Sequence, residues 1–211
     1  MIDRYILPLQ KRILQPVANQ LVSYGIRADL ITLTGFAIGL SAVPLLALGL
    51  YPEALLVILL NRLFDGLDGA VARAAGPTDR GAFIDIAFDF FFYASVPVGF
   101  AIADPAMNAL PAAVLVASFM GTGSSFLAFA VIAEKRGLTP ADYSQKGIYY
   151  LGGLAEGAET IAVFVAMCLW QSHFPQIAFS YAAICLITTV TRWRQGWVAF
   201  AQNNIEADVR T

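Results

Sequence analysis

The chain has 211 residues, 58% of them hydrophobic and only 13% charged, with 13 lysines and arginines against 15 aspartates and glutamates. A soluble domain usually carries about a quarter charged residues, so the composition excludes an ordinary water-soluble fold. A net charge of −2 says little, because the placement of charge matters more than its sum, and no nucleic-acid partner is expected.

"MIDRYILPLQKRILQPVANQLVSYG" mixes apolar and charged residues at helical spacing and is interrupted by Pro8 and Pro16. It reads as an interfacial amphipathic helix or two over residues 1–25, lying on the bilayer. Asp3, Arg4, Lys11 and Arg12 break any apolar core there, so no cleavable signal peptide is expected. The first span opens in "IRADLITLTGF", with Asp29 as its N-cap and Thr32 and Thr34 near its start. The second covers about 53–74 and ends at the Gly-Pro turn of "AAGPTDRG". The third covers about 82–103 and the fourth about 109–134, followed by the polar loop "EKRGLTPADYSQK". The fifth and sixth take about 147–170 and 176–198.

Each run has roughly the 20 residues a helix needs to cross the hydrocarbon layer. The expected fold is all-α: a single domain over 1–211, with a six-helix transmembrane bundle over 30–198 and a polar tail over 199–211. Cys168 and Cys185 lie alone in apolar runs and read as buried free thiols. "MGTGSS" in the fourth span reads as a packing patch, and His173, in a loop, is given no role.

The loops "GLYPE", "ADPAMNALP" and "WQSHFPQ" contain no lysine or arginine. All basic residues lie at the other side, so the positive-inside rule puts both termini and the turn between spans two and three in the cytoplasm.

That turn is flanked by four aspartates. Asp65 and Asp68 are three residues apart, and Asp85 and Asp89 four apart, so each pair shares a helix face. In an antiparallel hairpin all four meet at matching depth, roughly 10–15 Å inside the helix ends. Clustered carboxylates in a low dielectric need compensating positive charge. An all-oxygen donor set suits Mg²⁺ or Mn²⁺. The bland alternative is a set of buried ion pairs that lock the bundle, with Arg62 and Arg73 as nearby cations. Charged groups inside spans are expensive and mark function more often than structure.

The string Asp65-x-x-Asp68-Gly69-x-x-Ala72-Arg73, seven residues, then Gly81-x-x-x-Asp85-x-x-x-Asp89 resembles the signature of the CDP-alcohol phosphatidyltransferase family at all eight fixed positions. The resemblance implies that Asp65, Asp68, Asp85 and Asp89 hold two divalent ions, Mg²⁺ or Mn²⁺, with Asp89 also the catalytic base. It implies that Asp68, Gly69, Ala72, Arg73 and Gly81 bind the CDP moiety, with Thr32 a weaker correspondence. It further implies CDP-diacylglycerol and a small polar alcohol as substrates, phospholipid biosynthesis in the bacterial inner membrane as the setting, and a homodimer.

The acceptor is less well marked. Lys135, Arg136, Lys146, Arg192 and Arg194 are candidate contacts on the cytoplasmic side, although positive-inside topology alone accounts for them. Glu156 and Glu159 in "GGLAEGAET" are expected on one face of the fifth span, as acceptor contacts or as partners of those cations. The family's relatives that use inositol phosphate tend to carry arginines here, whereas Gly157 and Thr160 follow the two glutamates in this chain, which counts against that acceptor. The expected reaction is phosphatidyl transfer from CDP-diacylglycerol with release of CMP, glycerol 3-phosphate being the first candidate acceptor. An inositol-type polyol or serine is the alternative within the family, and cation transport the alternative from another class.

Overall fold

The structure, a computed structural model, describes residues 3–137 and 153–201, with side chains from residue 13 onward. No strand occurs among them, and helices follow one another with short connections. Helix α1 (Asp3–Ser23) is one continuous helix despite Pro8 and Pro16. It lays Leu14 and Ala18 against Ala70 and Val71 of α4 (Tyr51–Ala75) and Ile31 of α2 (Ala28–Leu40).

The first span is broken. After α2, Ser41 interrupts the helix, and α3 (Ala42–Ala47) resumes it. Pro44 explains the position, because it has no N–H for the Leu40 carbonyl and its ring crowds that turn. Asp29 is not the N-cap: Arg27 occupies that place, and Asp29 lies in the first turn, where its carboxylate pairs with Arg80 at the start of α5.

Helix α4 begins at Tyr51–Pro52 and stops at Gly76, whose φ of 101° only glycine adopts without strain. Two residues later Thr78 caps α5 (Asp79–Ala103), its Oγ1 accepting from the Gly81 N–H at 3.0 Å. Asp104 caps α6 (Pro105–Lys135) in the same way, accepting from Met107 N–H at 3.2 Å. The last elements are α7 (Gly157–Leu169), a 3-10 turn at Gln171–His173, and α8 (Phe174–Ala201).

Four described stretches are long and apolar enough to cross a membrane: Ala28–Ala47, Asp79–Ala103, Pro105–Lys135 and Gln171–Ala201. The six-span count is therefore met only in part. Helix α4 is long enough at 25 residues, but Glu53, Arg62, Asp65, Asp68 and Arg73 take it out of the purely apolar class. Helix α7 is apolar but has 13 residues, and residues 147–152 of the expected fifth span lie outside the described part.

The main core gathers Leu46, Ile58, Phe92, Val96, Phe100, Leu115, Phe164, Met167 and Phe174, with the Phe100 and Phe174 rings stacked at 4.5 Å. Many large side chains outside that core, such as Leu56, Leu59 and Phe91, face outward, as a lipid-facing wall requires. Cys168 and Cys185 are buried free thiols. The "MGTGSS" patch is packing: a side chain at Gly121 would strike Thr189 of α8, and one at Gly123 would strike Phe90 of α5.

One feature departs from a simple hairpin. Helices α4 and α5 scarcely touch; α2 packs on both. The pair splays, and the aspartates face a gap roofed by α2.

Candidate active site

The four aspartates line one cleft. Its walls are Asp65 and Asp68 from α4, Asp85 and Asp89 from α5, and Thr32, Gly35 and Phe36 from α2, with Asn61, Arg62 and Phe88 completing it. Asp68 is buried; the other three are half-buried. The helical spacing thus works as expected, each pair on one face. What differs is the approach of the helices, since the gap between α4 and α5 is spanned by a side chain.

That side chain is Arg62. Its Nη2 lies 2.7 Å from Asp89 Oδ1, and its Nη1 lies 3.6 Å from Asp65 Oδ2. Nη1 also donates to the Tyr93 hydroxyl at 2.9 Å, while Nε and Nη2 donate to Asn61 Oδ1 at 2.9 and 2.7 Å. The guanidinium carbon stands 5.1 Å from the Phe92 ring centroid and 5.2 Å from that of Tyr93. Asn61 is itself fixed, donating from Nδ2 to the Gly35 carbonyl at 2.9 Å. With Arg62 in place the cleft keeps only about 10 Å³ of free volume. Arg62 thus forms the ion pairs of the alternative stated above; its i, i+3 relation to Asp65 is readable in the sequence, its reach to Asp89 is not.

The donor set fits a hard divalent cation: four carboxylates, with no nitrogen or sulfur ligand among the aspartates. Among the described residues, however, no three His, Cys, Asp or Glu side chains converge closely enough to hold an ion as they stand. The splay of α4 and α5 and the placement of Arg62 account for this. The residues suit the ion in chemistry.

The other motif residues lie toward the turn. Arg73 is exposed and folds back over Gly69, with Nη1 3.2 Å from where a Gly69 Cβ would stand. A Cβ at Gly81 would meet Thr78 Oγ1 at 3.1 Å and Asp29 Oδ1 at 3.4 Å. Gly69, Ala72, Arg73 and Gly81 therefore sit at the open end of the hairpin, whereas Thr32 and Asp68 lie inside the cleft.

A second cavity, about 510 Å³, adjoins the first and shares Asp85 and Asp89 with it. Its walls include Tyr93 of α5, Phe119, Thr122 and Phe126 of α6, Glu156 just before α7, Thr160 of α7, and Arg192 of α8. Arg192 donates to the Thr122 carbonyl at 3.0 Å and covers the Phe126 ring at 5.7 Å. Of the sequence candidates, Glu156 and Arg192 reach this cavity; Glu159 and Arg194 are not in its wall, and Lys146 lies outside the described residues. Lys135 is in the last turn of α6, and Arg136 donates to the Phe200 carbonyl at 2.9 Å.

Glu156 and Glu159 do not share a helix face. Helix α7 starts at Gly157, and Glu156 is its extended N-cap residue. The cause is a long-range clasp: Thr188 Oγ1 of α8 accepts from the Leu154 and Ala155 N–H groups at 3.1 and 3.2 Å. Those donors are satisfied without a preceding helical turn. Glu156 Oε1 in turn accepts from Gly153 N–H at 3.1 Å.

Comparison with known proteins follows the same lines. The chain is 51% identical over 198 residues to Inner membrane protein YnjF of Escherichia coli, covering 94% of this chain and 96% of that one. It is 25% identical over 206 residues to an archaetidylinositol phosphate synthase of Pyrococcus horikoshii, covering 97% and 96%. Two solved structures of the phosphatidylinositol phosphate synthase PgsA1 of Mycobacterium tuberculosis share the fold. The one with CDP-DAG bound has a TM-score of 0.70 at 24% identity, covering 88% of this chain and 94% of that one. The one with manganese and citrate has a TM-score of 0.64 at 26% identity, covering 87% and 88%. The family profile described as CDP-alcohol phosphatidyltransferase matches residues 26–199, the stretch that holds both cavities and all eight motif positions. By that match this membrane protein belongs to the CDP-alcohol phosphatidyltransferase family.

Proposed function

We propose that the chain transfers a phosphatidyl group from CDP-diacylglycerol to a small hydroxylated acceptor and releases CMP. The observation that carries this reading is the shared wall: the aspartate cleft and the 510 Å³ cavity meet at Asp85 and Asp89. Two substrates lying in adjacent spaces would have their reacting atoms there. Asp89 takes the proton of the acceptor hydroxyl as its oxygen attacks phosphorus. The new P–O bond forms, the P–O bond to CMP breaks, and CMP leaves. Asp65, Asp68 and Asp85, with Asp89, are the proposed ligands of Mg²⁺ or Mn²⁺; a bound ion draws charge from the phosphoryl oxygens. Gly69, Ala72, Arg73, Gly81 and Thr32 are the proposed cytidine and diphosphate contacts.

For the acceptor, the named relatives favour an inositol-type phosphate over glycerol 3-phosphate, since two of them are synthases of inositol phospholipids. Glu156, Thr160 and Arg192 in the second cavity are the proposed contacts, joined by Lys146. Family membership favours transfer over cation transport. The inner membrane, named for the Escherichia coli relative, is the proposed location, with cleft and termini cytoplasmic by the charge asymmetry of the loops and the chain working as a homodimer.

The test is purified protein with CDP-diacylglycerol and a panel of inositol phosphate, inositol, glycerol 3-phosphate and serine, following CMP release. Release should require one acceptor, vanish with EDTA and return with Mg²⁺ or Mn²⁺. Activity that survives exhaustive chelation would remove the metal from this reading.

A further inference from the structure

Arg62 is a half-buried cation that the transfer chemistry leaves without a task. Its side chain is 15% exposed, and it is held from every side: by Asp89 and Asp65, by Asn61, by the Tyr93 hydroxyl, and by the Phe92 and Tyr93 rings. Its perch is anchored in turn, because Asn61 is tied to the backbone of α2. A planar fork that donates toward several acceptors at once fits this space as a compact ammonium would not.

We propose that Arg62 is a built-in counter-cation of the aspartate cleft. It neutralises Asp65 and Asp89 when no divalent ion is bound and gives up those two contacts when one enters. The inference rests on the reading that the four aspartates hold a divalent ion. Two observations carry it beyond that reading. The guanidinium bridges one acid from each half of the motif, at 3.6 and 2.7 Å, so it occupies the position an ion needs to join the two halves. The cleft it shares with all four aspartates is small, about 10 Å³, so an ion entering it comes close to the guanidinium, and like charges at that range repel.

The consequence is competition. A protein whose binding-competent form is only part of the population shows a metal affinity reduced by that fraction. Arg62 thus sets how much Mg²⁺ or Mn²⁺ is needed to assemble the site, and it spares the empty cleft the repulsion of four carboxylates.

The experiment measures Mn²⁺ binding to the purified full-length protein by calorimetric titration, and its thermal midpoint in EDTA and in saturating Mn²⁺. In Arg62→Met the Mn²⁺ dissociation constant should fall about tenfold or more, as expected when a competing state is removed. The midpoint in EDTA should fall and the rise on adding Mn²⁺ should grow. Tyr93→Phe keeps the charge but removes the 2.9 Å bond that steadies the guanidinium, and should shift both readings the same way by a smaller factor. A folded Arg62→Met protein with unchanged or weaker Mn²⁺ affinity overturns the proposal and makes Arg62 a support for the ion's ligands. If Arg62→Met does not fold, Tyr93→Phe decides on the same criterion. Wild-type protein that binds no Mn²⁺ would overturn the metal reading itself, whereas binding without a shift in the variants overturns only the counter-cation.

Discussion

Asp89 combines two demands that pull against each other. It faces both cavities, which a proton acceptor between two substrates needs, yet its Oδ1 is engaged by Arg62 at 2.7 Å. Asp89→Asn keeps the size and one acceptor oxygen and removes the basicity. Turnover should drop about 10²- to 10⁴-fold, the usual contribution of a general base, while binding of CDP-diacylglycerol, measured by equilibrium titration, stays within a few-fold. Near-normal turnover would place the base on another residue. At this scale the aspartates were legible from spacing alone, because three- and four-residue intervals fix a common face whatever the helix packs against. Arg62 was not, because a long side chain finds its partner across a gap that only tertiary packing defines.

Among the elements, the segment before α7 shows how one side chain overrides local preference. "GGLAEGAET" contains nothing that forbids a helix through Glu156 except its glycines, and the periodicity of the fifth span runs straight into it. Thr188, thirty-odd residues away, captures two backbone N–H groups there. Gly153 permits the approach, since a Cβ would stand 2.1 Å from Thr188 Cγ2. Gly153→Ala must therefore open the clasp, at a cost of about 1–3 kcal/mol for a small-to-large change in a packed site. The thermal midpoint should fall, and the acceptor's KM should rise because Glu156 shifts with the segment, while the KM for CDP-diacylglycerol holds. Equal loss for both substrates would show that the segment serves stability alone. The break at Ser41 has a different character: Pro44 was in plain view, and its effect one turn upstream follows from the missing N–H. The splay of α4 and α5 left no mark in either helix, since it goes with α2 packing on both of them.

Over the whole molecule, charge is segregated as strongly as polarity. The turn at Gly76–Thr78 is flanked by Arg73 and Arg80, while the opposite end, at Asp104–Met107, has no basic residue nearby. Single cysteines at Asp79 and Met107, both exposed, should react with a membrane-impermeant thiol reagent from opposite faces, Asp79→Cys only from the cytoplasmic side. The native thiols give little background, because Cys168 and Cys185 are 5% and 0% exposed. Labelling of both positions from one side would reverse or break the proposed orientation. The membrane class and the aspartate cleft were legible from composition and motif; the number of spans was less so, because α4 carries Glu53, Arg62, Asp65, Asp68 and Arg73 and is less apolar than its neighbours. Helix α8 brings these parts together, since Thr188 and Arg192 lie four residues apart on it and so on one face. The first grips the segment carrying Glu156, and the second forms the facing wall of the larger cavity. In the proposed reading, choice of alcohol falls to side chains on and beside α8, while bond-breaking falls to the aspartates that the larger cavity meets at its other wall. Descendants of this chain could acquire a new headgroup through changes along one helix while inheriting the aspartate machinery untouched.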